Sequence, residues 1–204
     1  MPSKAEQTEL TRRALLDAAR ELFAAEGFAG TSTEAVVRRA GVTRGALYHH
    51  FRDKQDLFGA VYEDIERRLV EDLGARLVPG GDPMALLTEG IDVFLEACMD
   101  PAIRRITLLE GPTVLGWRRW HDVQEAYGLG LTKAVLQAAV DAGVLRPLPV
   151  DALAHLLLGA LVESAMVLAL AEDTQAAKRE LSETFRAVVA GLGVDGHGES
   201  RPSP

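Results

Sequence analysis

The chain has 204 residues, of which 48% are hydrophobic and 25% charged, a balance typical of a soluble globular protein rather than of a disordered one. Its 30 acidic and 22 basic side chains give a net charge of −8, so any contact with nucleic acid has to rest on a local excess of basic residues. The single cysteine, Cys98, excludes an intramolecular disulfide and a cysteine-cluster zinc site, and the N-terminal residues lack the apolar core of a signal peptide.

Hydrophobic spacing predicts helices throughout the chain, and no segment has the sustained alternation of a strand. The first predicted helix carries its apolar side chains over residues 15–23 and ends at Gly27. Thr31–Glu34 has the form of a capping box and predicts a second, short helix that runs to Ala40. Gly41 then permits a left-handed turn.

Thr43 is predicted to cap a third helix that continues through Phe51. Asp53 is predicted to cap a fourth helix that reaches roughly Leu77. Residues 78–81, with the sequence VPGG, cannot continue that helix and form the clearest break in the chain.

The second half of the chain is also predicted to be helical. Asp82–Pro83 and Asp100–Pro101 each combine a capping residue with a proline in the first helical turn. Gly111–Pro112 is expected to interrupt the helical chain, and Gly128 and Gly130 are candidate bends in a long helix. The predicted helices lie near residues 83–98, 101–110, 117–142, 151–171 and 174–192.

The most apolar segment is Leu153–Ala171, which still contains His155, Glu163 and Ser164. A membrane-spanning helix needs about 20 residues with few or no charges, so we interpret this segment as a buried helix and expect no membrane contact. Residues 195–204 lack apolar anchors and are predicted to be disordered.

The two short helices around Gly41 have the pattern of a helix-turn-helix, in which the first helix braces the second. Residues 28–55 hold five basic and two acidic side chains, which suits contacts with phosphates. Arg44 stands at the start of the third predicted helix, where its guanidinium fork could pair with guanine O6 and N7 in the major groove. Helical spacing predicts that Ala46, Leu47 and Phe51 face inward. It predicts that Arg44, Tyr48 and His49 face outward.

This segment resembles the TetR/AcrR family of transcriptional regulators over about residues 8–62. The glycine turn, the Leu-Tyr-x-His-Phe run and the following lysine stand at the fixed spacing of that family. Thr33 departs from it, because the family usually has valine or methionine there. The matching residues are 27–28, 31–32, Val36, 40–51, 53–54 and 57–58.

The resemblance implies which residues contact DNA. Tyr48 and Lys54 match positions that contact phosphate, and the start of the second helix approaches the DNA backbone through its hydroxyls and amides. The start of the third helix faces the groove. The implied DNA-binding residues are Ser32, Thr33, Thr43, Arg44, Gly45, Tyr48, His49 and Lys54.

The resemblance also implies an all-α fold with two domains. Residues 1–52 would form a three-helix, helix-turn-helix DNA-binding domain, and residues 53–194 a helical domain for ligand binding and dimerisation. The protein is then expected in the cytoplasm as a homodimer, paired through its last two helices on a palindromic operator, most often as a repressor. The apolar circumference of residues 153–170 agrees with such pairing, because that helix has to be covered on every side.

Residues 83–145 would then form the sensing domain, in which a small molecule binds. Such cavities are mostly apolar with a few polar groups, so an apolar or aromatic ligand is predicted. Glu110, His121 and Glu163 are candidate polar contacts. The candidate apolar ligand-binding residues are Phe94, Met99, Leu109, Trp117, Trp120, Tyr127 and Met166.

Three other features of the sequence bear on alternative functions. Gly191–Gly196 satisfies the G-x-G-x-x-G pattern but ends a predicted helix with no strand before it, so it does not indicate a dinucleotide site, and no enzyme or cofactor is predicted. His121 and Glu125 could share a metal with His155, although a solvated face is the simpler interpretation. A DNA-binding regulator without a ligand, controlled by a protein partner, also fits the sequence.

Overall fold

The computed structural model describes residues 3–76 and 82–194, and within them the chain is helical, as predicted. The predicted break at residues 78–81 and the predicted disordered tail at residues 195–204 lie outside the described residues. The helices are α1 (Lys4–Gly30), α2 (Thr33–Ala40), α3 (Arg44–His50), α4 (Lys54–Arg76), α5 (Pro83–Ala97), a π-helix (Ile103–Glu110), α6 (Gly111–Leu115), α7 (Trp117–Asp141), α8 (Val150–Leu170) and α9 (Thr174–Ala190).

The junction between α1 and α2 differs from the prediction in its capping residue. Ser32, not Thr31, caps α2, because its hydroxyl oxygen accepts a hydrogen bond from the Ala35 amide at 3.1 Å. The Thr31 hydroxyl is already engaged, since it donates to the Gly27 carbonyl at 2.8 Å and is buried. Gly27 has positive φ and interrupts the helical geometry of α1, as the sequence predicted, although one more turn follows it.

The predicted helix-turn-helix is confirmed in its local geometry. Gly41 ends α2 in the left-handed conformation with φ 68° and ψ 28°. The Thr43 hydroxyl oxygen then caps α3 by accepting from the Ala46 amide at 3.2 Å. Leu47 is fully buried in the first core, and α3 packs against α1 and α2, so α3 has one fixed inner face and one outer face.

The predicted interruption at Gly111–Pro112 is wrong. The chain stays helical there, because Pro112 occupies the first turn of α6, where its missing amide hydrogen is not needed. The break comes instead at Gly116, which has φ 79°. Residues 103–110, predicted as an ordinary helix, form a π-helix, a form that occurs mostly as short segments and often at functional sites.

α7 runs without interruption through Gly128 and Gly130, so the bend considered for those positions does not break the helix. Gly128 has a packing role, because a Cβ atom there would lie 3.0 Å from Leu158 Cδ1. The glycine therefore lets α7 and α8 approach closely.

Two hydrophobic cores are joined by the π-helix. The first core unites α1, α2, α3 and the beginning of α4, and the second unites α5, α7, α8 and α9. The π-helix contributes Ile106 to the first core and Leu108 to the second, and both side chains are almost fully buried. A change in the second core can therefore reach the first through this short segment.

Among the described helices, α8 alone is long and apolar enough by composition to suit a membrane as well as a protein core. It packs against α7, α9, α5 and the π-helix. One chain does not bury α8 on every side, because Leu156 and Leu170 are each 72% exposed. α8 thus has one packed face and one apolar face without a partner in the described residues.

Candidate DNA-binding surface and ligand cavity

The outer face of α3 presents the side chains that the sequence predicted for the DNA groove. Arg44, Tyr48 and His49 are exposed, whereas Leu47 and Phe51 are buried beneath them. The Arg44 guanidinium lies 5.5 Å from the centre of the Tyr48 ring and pairs with Glu34 at 3.3 Å. These contacts hold the arginine side chain at the start of α3, and its entry into the major groove stays a prediction.

The start of α2 meets Tyr48 and Lys54 around one shallow surface depression. Ser32 and Thr33 line this depression together with the end of α1. The Thr33 side chain and the Arg44 guanidinium lower the pKa of the exposed Tyr48 hydroxyl. The structure therefore brings together four residues implied to lie near the sugar–phosphate backbone, beside the α3 face implied to meet the bases.

Lys54 has a structural role that the sequence did not indicate. Its Nζ donates to the Phe28 carbonyl at 2.7 Å and to the Thr31 carbonyl at 2.9 Å, and it lies 4.3 Å from the centre of the Phe28 ring. The ammonium group thereby ties the start of α4 to the end of α1. Its implied phosphate contact stays a prediction.

The π-helix grips the same end of α1 through Arg105 and Glu110, a pair that we call the clasp. Glu110 Oε2 accepts from the Phe28 amide at 2.7 Å, and Arg105 Nη1 donates to the Ala25 carbonyl at 2.9 Å. The two side chains also pair with each other at 3.3 Å. Glu110 was predicted as a cavity contact, but the structure directs it toward α1 instead.

Replacing Gly27 by alanine is expected to destabilise the protein by about 2 to 4 kcal/mol. Gly27 has φ 77° and ψ 173°, a conformation essentially restricted to glycine. A Cβ atom would also lie 2.5 Å from Glu110 Oε1 and 2.6 Å from Arg105 Nη2, so the clasp would have to move. Urea unfolding followed by circular dichroism measures the change.

Gly30→Ala is the matched control for this prediction. Its Cβ atom would meet nothing closer than 3.4 Å, and its φ is not positive, so we expect a change within about 1 kcal/mol. Equal effects of the two substitutions would contradict the role assigned to Gly27.

A cavity of about 120 Å³ lies between α4, α5, the π-helix, α7, α8 and α9. Its walls are almost entirely apolar, which is usual for small-molecule sites. An engineered apolar cavity of about 150 Å³ holds a benzene ring in another protein, so a body of about six carbon atoms fits this space. Its lining residues include Leu69, Leu73, Leu86, Leu87, Ile91, Phe94, Cys98, Thr107, Leu108, Gln124, Leu131, Thr132, Leu157, Leu158, Leu161, Val162 and Phe185.

Of the seven predicted apolar ligand residues, Phe94 lines this cavity and six do not. Trp120 is buried in a separate cluster with Tyr62 and donates from Nε1 to the Thr107 carbonyl at 2.8 Å. Trp117, at the start of α7, is 68% exposed. The six residues outside the lining are Met99, Leu109, Trp117, Trp120, Tyr127 and Met166.

Glu66 on α4 is a cavity residue that the sequence analysis missed. It is 9% exposed, and burial raises the pKa of its carboxyl to about 7. The signal was available in the spacing, because Glu66 shares one helical face with Tyr62, Leu69 and Leu73. A carboxyl group on such a face costs several kcal/mol to bury in its charged form.

Comparison with protein families identifies this arrangement. Residues 15–61 match the family described as bacterial regulatory proteins, tetR family. Residues 84–192 match the tetracyclin repressor-like C-terminal domain. The chain belongs to the TetR family. As a TetR-family chain it falls among regulatory proteins rather than enzymes, which agrees with the sequence analysis.

Relatives of this TetR-family chain extend the match. It is 36% identical over 104 residues to the HTH-type transcriptional regulator AcrR of Shigella flexneri. The matched region covers 50% of this chain and 48% of that relative, so the chain spans about half the length of the relative. A crystal structure of a TetR-family regulator from Pectobacterium atrosepticum is 32% identical, with a TM-score of 0.85 over 96% of this chain and 100% of that one. RolR in complex with resorcinol shares the fold, at 20% identity and a TM-score of 0.72 over 98% of each chain.

The last two helices of this TetR-family chain leave an apolar surface open. We call it the α8/α9 face and define it by Leu156, Val167, Leu170 and Val188, which are 47 to 72% exposed. Phe185 and Val189 of α9 turn inward and pack in the second core. The predicted pairing of two chains through these helices stays a prediction.

The histidines considered for a metal site lie on the protein surface. Glu125 Oε1 is 3.3 Å from His155 Nδ1, and Glu125 Oε2 is 3.9 Å from His121 Nδ1. These contacts link α7 to α8, and neither His121 nor the exposed Glu163, both candidate ligand contacts, lines the cavity.

Proposed function

We propose that this chain is a DNA-binding transcriptional repressor of the bacterial cytoplasm. It binds a palindromic operator as a homodimer and is released when a small apolar ligand enters the cavity. The alternative of a regulator without a ligand is disfavoured by the cavity itself, because a mostly apolar cavity of this kind is the feature that such a protein would lack.

The DNA-binding half of the proposal is supported by the outer face of α3. Arg44, Tyr48 and His49 are exposed on a helix whose inner face is fixed by Leu47. One such helix reads only a few base pairs, and dimers place two of them about 34–36 Å apart on successive turns of the groove. A second copy is therefore needed for a specific site.

The α8/α9 face supplies a surface of the kind that a dimer requires. Its side chains are apolar, contiguous with the second core and without a partner in residues 3–76 and 82–194. Large exposed apolar patches on soluble proteins usually mark interfaces. We therefore assign the homodimer contact to this face.

The single observation that carries the ligand response is the position of the π-helix. Ile103, Thr107 and Leu108 line the cavity, while Arg105 and Glu110 of the same eight residues form the clasp on α1. A ligand that displaces the lining side chains acts directly on the segment that holds the DNA-binding helices. The RolR structure, whose fold is shared and which holds resorcinol, supports a cavity of this kind.

Energetics set the size of the required effect. A ligand releases DNA only to the extent that it prefers the conformation that does not bind DNA. A hundredfold loss of operator affinity requires about 2.7 kcal/mol of differential binding. Fuller burial of one aromatic or alkyl group in that conformation supplies about this amount.

Arg44→Ala is expected to relax sequence preference at one base pair of each half-site by about 5- to 150-fold, because a bidentate contact to guanine contributes about 1 to 3 kcal/mol of discrimination. The measurement is a selection of bound sequences from a random duplex pool, first with the unchanged protein and then with the variant. The unchanged protein is expected to select two inverted half-sites.

Arg118→Ala removes the same charge from an exposed position on α7 and is the control. It is expected to leave the selected sequences unchanged. If Arg44→Ala also leaves them unchanged, or if no duplex is selected at all, the proposed DNA-binding function is wrong.

A further inference from the structure

The cavity contains one carboxylate among its described lining residues, Glu66. Leu69 and Leu73 follow it on the same face of α4, and Phe94 and Leu161 also line the space. No lysine, arginine or histidine is among those lining residues. The carboxyl group therefore stands in apolar surroundings without a basic side chain beside it.

Glu66 forms no ion pair within residues 3–76 and 82–194. The Tyr62 hydroxyl lies near its carboxyl group and favours the ionised form, but the hydrogen bond that this hydroxyl donates goes to the Trp120 carbonyl at 3.0 Å. Asp64, two residues earlier on α4, shows the usual arrangement, because it lies within 3.0 Å of guanidinium nitrogens from three arginines. Glu66 differs from it in lacking a cation.

We propose that the cavity takes a small lipophilic amine, with its apolar body among the leucines and Phe94 and its protonated nitrogen against the Glu66 carboxylate. This inference rests on the proposed function and names the chemical class of the ligand. The bound cation supplies the partner that the chain does not, and an ammonium–carboxylate hydrogen bond is strongest where water is excluded.

The geometry predicts an order of affinity for three ligands that share the same apolar tail and differ in their head group. A cationic head gains an ion pair with Glu66 in addition to burial of the tail. A neutral hydroxyl gains the burial alone. An anionic head meets the carboxylate as a like charge, or requires Glu66 to take up a proton, and therefore binds most weakly.

Hexylammonium, hexanol and hexanoate test this order, because each carries the six-carbon body that the cavity volume suits. Binding to the full chain is measured by titration calorimetry at pH 8, where Glu66 is largely ionised. We expect hexylammonium to bind at least tenfold more tightly than hexanol, and hexanoate at least tenfold more weakly than hexanol.

Glu66→Gln is the decisive variant, because it keeps the shape of the side chain and removes the charge. It is expected to reduce the affinity for hexylammonium at least tenfold and to leave hexanol within a factor of about three. Glu71→Gln makes the same change at an exposed position on α4 and is expected to keep the original order. Retention of the hexylammonium preference in Glu66→Gln, or a preference of the unchanged protein for hexanoate or hexanol, overturns the inference.

The release of DNA is measured separately, by fluorescence anisotropy of a labelled operator duplex. Hexylammonium that binds through Glu66 but leaves operator affinity unchanged supports the ligand class and contradicts the proposed function. Release by hexanol or hexanoate that is independent of Glu66 supports the proposed function and overturns the ligand class.

Discussion

Replacing both Leu156 and Leu170 by glutamate is expected to convert the protein from a dimer to a monomer and to weaken operator binding by at least about 100-fold. Both side chains are 72% exposed in one chain, so the substitution does not disturb its core. In a symmetric dimer it would place four carboxylates in an apolar interface, and each buried, unpaired charge costs several kcal/mol. A monomer also loses the gain of about 10² to 10⁴ that linked binding of two half-sites provides.

Sedimentation velocity measures the oligomeric state, and an operator titration measures the affinity. Leu10→Glu is the control for the oligomeric state, because Leu10 is 59% exposed on α1, outside the α8/α9 face. Circular dichroism checks that the helices remain. A double variant that stays dimeric and keeps its operator affinity would contradict the assignment of the interface.

Glu66→Gln is expected to make the ligand-free protein more stable than the unchanged protein at alkaline pH. Burial raises the pKa of Glu66 in the folded state to about 7 from its ordinary value of 4.5, so the folded chain holds this proton more tightly than the unfolded chain. Stability then falls as the pH rises from about 4.5 through 7. The advantage of the variant should grow by about 2 to 3 kcal/mol between pH 5 and pH 8.

Urea unfolding at intervals across this range measures the difference between the two proteins. Burial also raises the pKa of Cys98 and of Tyr62. Because their ordinary pKa values are 9.0 and 10.0, these two groups change the stability only above the range from pH 5 to pH 8. The lowered pKa of His50 acts equally in both proteins and cancels in the difference. A difference that stays constant from pH 5 to pH 8 would show that Glu66 does not titrate in this range.

The DNA-binding half was predictable because its signals are local. The glycine at position 41 and the cap at Thr43 act within a few residues, and the burial of Leu47 follows from helical spacing. The one local error, the cap at Thr31, arose because two neighbouring hydroxyl residues compete for one position. The Thr31 hydroxyl donates instead to the carbonyl of Gly27, a residue that packs closely against Arg105 and Glu110 of the distant π-helix.

The ligand cavity was not predictable in the same way, because its walls come from six helices. The Trp117 and Trp120 rings lie 5.0 Å apart on one face of α7, but that face packs outside the cavity, with Trp120 buried in a separate cluster and Trp117 exposed. The residues that meet in space, such as Glu66 and Phe94, belong to helices whose relative placement no spacing rule gives. The π-helix was missed for the same reason, since its sequence also suits an ordinary helix.

The two hydrogen bonds from Lys54 to the end of α1 fix the DNA-reading module to the first residue of α4, a helix that acts as a lever. Its 23 residues span about 34 Å. Tilting this helix by about 5° around its opposite tip displaces the module by about 3 Å. In a two-fold symmetric pair both modules shift, so their separation changes by up to about 6 Å, a large fraction of the roughly 12 Å width of the major groove.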